Sequence, residues 1–112
     1  MKALLIAVAL LLPACTSGLG AGEVLDEADN AQLLVLKDTL TNGARAEATY
    51  LVEEGVYTFD VNALDLDVPD GVAIAITQQT NQDYCMTGTH EELEGVIWHV
   101  STEETVPTEG QC

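Results

Sequence analysis

Hydrophobic positions follow three rhythms along this chain. From Ala3 to Leu12 every residue is apolar. From Glu23 to about Glu54 they return every third or fourth residue, so that Leu33, Leu36, Leu40, Ala44, Ala48 and Leu51 fall on one stripe of a helix. Beyond residue 71 the period drops to two. In GVAIAIT, Val72, Ile74 and Ile76 alternate with small residues. In DYCMTGT, Tyr84 and Met86 share one face while Cys85 and Thr87 share the other. In GVIWHV, Val96, Trp98 and Val100 oppose Ile97 and His99.

These rhythms predict one long helix followed by three strands. Glu23, Asp26 and Glu27 suit the positive end of a helix dipole, and Gly55 is placed for a left-handed cap at the other end. Gly43 costs the helix about 1 kcal/mol relative to Ala, and the run Thr41-Asn42-Gly43 is a candidate bend. Neither Lys37 nor Arg45 has an acid three or four residues away, so packing must hold the helix. VYTFDVNALDLDVPDG reads as an irregular connection with a helical turn, closed at Pro69-Asp70-Gly71. The links QQTNQ and HEELE are short and polar, which favours antiparallel neighbours. The expected fold is therefore α+β: one long N-terminal helix whose apolar stripe covers a three-stranded antiparallel meander. The tail STEETVPTEGQC is polar and needs a fastener, which Cys112 supplies.

The ten apolar residues after Met1 and Lys2 are half of the roughly 20 that a membrane-spanning helix needs. With small Ala14 behind them they have the layout of an export leader. The predicted organisation is a signal peptide over 1–14, a flexible tether over 15–22 and a head over 23–112. Leu12-Pro13-Ala14-Cys15 approximates a lipobox, which assigns Cys15 to lipidation; Pro13 fits that motif poorly, and ordinary signal cleavage near Gly20 and Gly22 is the alternative. The chain would then be exported, and either anchored on the outer face of the membrane or secreted.

Charge narrows the partners. The formal charge is −16, and loss of Lys2 with the leader makes it one unit more negative. Such a surface repels phosphates, which argues against nucleic acid. Oligomeric state is not legible.

Of the three cysteines, Cys85 and Cys112 remain as a pair once Cys15 is acylated or removed, and export is a setting in which disulfides persist. A ring of this size stabilises by roughly 3–4 kcal/mol. Two free thiols are the weaker reading. Nucleophilic catalysis has little to build on: Ser17, Ser101, His90 and His99 stand in no hydrolase signature, His90 and His99 read as surface or edge residues, and no enzyme activity or cofactor is expected. For metal, Asp60, Asp65, Asp67 and Asp70 are weak Ca²⁺ candidates in a turn-rich loop without the spacing of an EF-hand; an uncommitted acidic loop is the stronger reading.

LTNGARAEATYLVEEGVYTFDVNAL resembles the stretch of type IV pilins and pseudopilins where the long N-terminal helix ends and the head begins. The residues that carry the likeness are Leu40, Ala44, Ala46, Ala48, Tyr50, Glu54-Gly55, Tyr57-Thr58 and Leu64, followed by DYCMTGTH, the tryptophan of VIWHV, and EGQC. It covers roughly residues 30 to 112. The resemblance implies a pilin-like head with its final loop fastened by a cysteine pair, a structural role outside the cytoplasm, and pilus or secretion-system proteins as partners. The family's long apolar filament helix, with an acid at its fifth position, has no counterpart in the ten-residue run that ends at Pro13. The functional expectation is a non-enzymatic, lipid-anchored protein of structure or surface interaction. The alternative is a secreted or anchored binding module whose acidic loop takes a cation or a basic partner.

Self-repulsion at this charge predicts that the melting temperature rises from low to molar NaCl as screening lengths shrink. A flat or falling curve in thermal denaturation would contradict it.

Overall fold

The computed structural model describes residues 27–112, and the predicted leader, tether, Cys15 and the expected helix onset at Glu23 lie outside them. The periodic stretch forms one unbroken helix, α1, Glu27–Glu54. It ends as anticipated: Gly55 takes φ +80° and its N–H donates to the Leu51 carbonyl at 2.8 Å. The buried stripe runs through Leu36, Leu40, Ala44 and Glu47, with Thr39 and Gly43 beside it. Ala48, expected on this stripe, is exposed. At 3.6 residues per turn the inward position after Ala44 falls on residue 47 rather than 48.

The connection behaves as its composition suggests. Asp60 accepts the Asn62 N–H and opens a single 3-10 turn, Val61–Leu64, which Asp65 closes in the left-handed region at φ 55°. The Val72 N–H returns to the Pro69 carbonyl, with Gly71 at φ +88°. The chain then enters β1, Val72–Thr77, followed by β2, Cys85–His90, and β3, Trp98–Ser101.

A fourth strand corrects the expected three. β4, Thr108–Glu109, pairs antiparallel with β3, setting Trp98 opposite Glu109 and His99 opposite Thr108. The sheet order is β1-β2-β3-β4 with every neighbour antiparallel. Two residues cannot display an alternation, so β4 left no pattern to read. It forms because the tail folds back: the Ser101 N–H donates to the Glu104 carbonyl, Ser101 Oγ accepts the N–H groups of Glu103 and Glu104, and the Gly110 N–H donates to Ile97.

The inner face of the sheet carries Met86, Gly88, Trp98 and Val100 toward α1. Leu36, Leu40, Met86 and Val100 are fully buried. Lys37, without an ion pair on its own helix, stretches over the Trp98 ring at 4.7 Å, a cation–π contact that adds to the helix–sheet seam. Helix and strand approach closely because two glycines face each other's elements. A Cβ on Gly88 would sit 2.8 Å from Leu36 Cδ1 and 3.2 Å from both Leu40 Cδ2 and Ile74 Cδ1. A Cβ on Gly43 would overlap the tip of Met86. Gly43 is thus a packing position in a continuous helix, and the candidate bend does not form.

The two glycines should respond differently to alanine. Around Gly88 three branched side chains close in from two elements and cannot all withdraw, so Gly88→Ala is expected to cost about 1–3 kcal/mol in urea unfolding. For Gly43→Ala the flexible Met86 can shift, and about 1 kcal/mol of regained helix propensity offsets the crowding. The ordering, with Gly88→Ala the more damaging, is the quantity to measure.

Candidate functional site

The most unusual group in the head is Glu47. It lies on the inward stripe of α1 with no exposed surface at all. Its Oε1 accepts the Thr58 N–H at 3.0 Å, tying the helix to the segment that leaves it. Its Oε2 is buried without a hydrogen-bond partner. Nearby, the rings of Tyr57 and Tyr84 pack at a centroid distance of 5.0 Å, tilted by 53°. Burial pushes the Glu47 carboxyl above its ordinary value of 4.5, and the Thr58 N–H opposes part of that rise. Burial likewise raises the Tyr84 phenol to about 12, with smaller contributions from the charges of Glu47 and Tyr57. This cluster was missed in the sequence, although the signal was present: an acid stands three residues after Ala44 on an apolar stripe.

A second constellation lies on the opposite face of the sheet. Cys85 is bonded to Cys112, Cα to Cα 6.1 Å, as the cysteine arithmetic anticipates. Beside the bridge, His99 holds the tail at both ring nitrogens, with Nδ1 2.9 Å from the Gly110 carbonyl and Nε2 2.7 Å from Glu104 Oε1. An open groove of about 490 Å³ runs past these residues, lined also by Gln79, Asp83, Ser101 and Glu103. With both nitrogens of His99 engaged, and Ser101 Oγ accepting two backbone N–H groups, this pair does not form a nucleophile and base.

Both histidines are buried, which corrects their expected surface or edge positions: His90 is 6 % and His99 7 % exposed. The tail covers His99. His90 is enclosed by the turn that follows it, whose Glu92 N–H donates to His90 Nδ1 and whose Leu93 N–H donates to the His90 carbonyl. Neither covering segment has a hydrophobic period, so burial could not be read from the pattern.

The aspartates of the acidic loop are spread out. Asp60 and Asp65 cap the two ends of the 3-10 turn, while Asp67 and Asp70 lie exposed on the way to β1. Among the described residues no three His, Cys, Asp or Glu side chains gather as a metal ion would require. No helix among them is long and apolar enough to cross a membrane.

No protein-family model matches the chain, and no curated protein matches it in sequence.

Glu47 makes the head sensitive to pH in a defined direction. A carboxyl that binds its proton more tightly folded than unfolded stabilises the fold fully below about 4.5, and that contribution is lost as pH rises through the raised folded value. Glu47→Gln keeps an acceptor for Thr58 and removes the titration. The variant's melting temperature should fall less steeply than that of the unsubstituted protein as pH rises from 4.5, and its Tyr84 should titrate below about 12 in phenolate absorbance. Parallel pH curves would refute the assignment.

Proposed function

We propose that this chain is a non-enzymatic, lipid-anchored extracytoplasmic protein with a pilin-like head, serving structure or surface interaction. The observation that carries the reading is the combination of one long helix, one face of which is buried on an antiparallel meander, with a tail tied back to the second strand by Cys85–Cys112. The resemblance of residues 30 to 112 to pilin heads expects this arrangement. The apolar run Ala3–Leu12 and the Leu-Pro-Ala-Cys that ends at Cys15 supply the anchor. A bridge between Cys85 and Cys112 suits the oxidising surroundings of an exported domain.

Burial also favours a scaffolding role. Several side-chain interactions of the head serve internal fastening: Glu47 accepts from Thr58, His99 meets Gly110 and Glu104, and Asp83 Oδ1 accepts the N–H groups of Gln79 and Thr80. What remains on the outside is a small, rigid, acidic body suited to display at the end of a tether.

Palmitate labelling of the full-length chain in a bacterial host, followed by intact-mass measurement, tests the proposal. The expected product carries acyl groups on Cys15 and lacks the two hydrogens lost in forming Cys85–Cys112, and Cys15→Ser abolishes the label. Unlabelled protein released into the medium would overturn the anchor.

A further inference from the structure

The two edges of the sheet are built differently. β4 spans only Thr108–Glu109, follows Pro107 and carries a charge, all features that discourage another strand from pairing with it. β1, at the other edge, runs six residues as Val-Ala-Ile-Ala-Ile-Thr, with no charge and no proline. The ladder shows which backbone groups it leaves over. The Glu91 N–H donates to the Gly71 carbonyl, and Val72 stands opposite His90, so Ala73, Ala75 and Thr77 bond to β2 while Val72, Ile74 and Ile76 turn their groups to the open side. The Val72 N–H is used by Pro69. Among the described residues nothing bonds the Val72 carbonyl or the outward N–H and C=O of Ile74 and Ile76; the 3-10 turn comes near β1 without hydrogen-bonding to it.

The side chains at this edge are also incompletely covered. Val72, Ile74 and Ile76 face inward yet stay half-buried, because α1 packs over β2 and β3. On the outer face, Ala73, Ala75 and Thr77 are exposed and small. The ends of the strand are acidic: Asp67 and Asp70 precede it, Glu91 Oε2 lies against Gly71, and Asp83 stands in the link beyond Thr77.

We infer that β1 is a docking edge for an extended basic peptide segment of a partner protein, which adds as a fifth strand through the outward backbone groups of Val72, Ile74 and Ile76. Alternate apolar side chains of the peptide cover the inward row of β1, and its lysines or arginines meet the carboxylates at the strand ends. A second copy of this chain is disfavoured as occupant by its own charge of −16. The inference stands independently of the lipid anchor and of the likeness to pilins.

The probe is the synthetic peptide Lys-Val-Thr-Val-Thr-Val-Lys, titrated into the full-length chain with its disulfide intact and followed by backbone amide NMR. Bound antiparallel to β1 with its valines inward, the peptide directs its valine N–H groups at Ile74 and Ile76 and its threonine N–H groups away. Shifts are expected at the amides of residues 72–77. N-methylation of the valines should weaken binding about tenfold or more, while N-methylation of the threonines should leave it within about threefold. Replacing both lysines with glutamate should abolish binding at low salt. The proposal is overturned if the two methylated peptides bind alike, if the glutamate peptide binds as well, if the shifts fall outside β1, or if the peptide does not bind. Sedimentation showing a dimer that blocks the β1 amides would likewise overturn it, by assigning the edge to a second copy.

Discussion

The head depends on how closely a helix can lie on a strand. Leu36 and Leu40 descend onto the backbone of β2 at Gly88, and Met86 rises toward α1 where Gly43 offers no side chain. The two glycines are complementary: each removes a Cβ where the other element needs room. This contact places the inward stripe of α1 over Met86, Val100 and Trp98, and so determines which face of each strand is core. It also leaves β1 at the margin, because a helix about 10 Å wide cannot cover four strands. The partial burial of Val72, Ile74 and Ile76 follows from that geometry.

With a core this thin, the far side of the sheet has to be secured by other means. The tail passes behind β3 and is tied there by a two-residue strand, by the Gly110 N–H on Ile97, by His99 and by the Cys85–Cys112 bridge. The His99 and disulfide ties lie on the outer face, where the sheet offers little hydrophobic surface, while the two-residue strand and the Gly110 bond lie along the edge of β3. Their effect is local rigidity: a segment of polar composition becomes part of the sheet, and the groove beside it takes a defined shape.

Glu47 works against this economy. Its carboxylate sits where the stripe calls for an apolar residue, with one oxygen bonded to Thr58 and the other unpartnered beside Tyr57 and Tyr84. The Thr58 bond aligns the chain as it leaves the helix. The desolvation cost makes the junction weaker when the group is charged. In a domain whose surface already repels itself, raising pH therefore acts in one direction on both the interior and the exterior.

Much of the architecture was legible because it rests on periodicity. The long helix, its left-handed cap at Gly55, the helical turn in the connection, the turn at Pro69-Asp70-Gly71 and three strands follow from local residue chemistry acting over a few positions, while the pairing of Cys85 with Cys112, 27 residues apart, followed from the cysteine count. What sequence could not supply were contacts with no period: the two-residue β4, the enclosure of His90 and His99 by polar turns, and the use of Gly43 as a packing surface; the burial of Glu47, by contrast, was signalled by its place three residues after Ala44 on the apolar stripe. None of those contacts leaves a repeating hydrophobic signature: β4 and the cover of His99 arise where the tail folds back on β3, His90 is closed by the turn that directly follows it, and Gly43 meets Met86 of another element. Hydrophobic rhythm by itself determined the long helix, three of the four strands and most of the faces they bury. The tertiary structure alone decided how close they lie and which polar groups are sealed between them, because distance and desolvation are properties of the assembled packing.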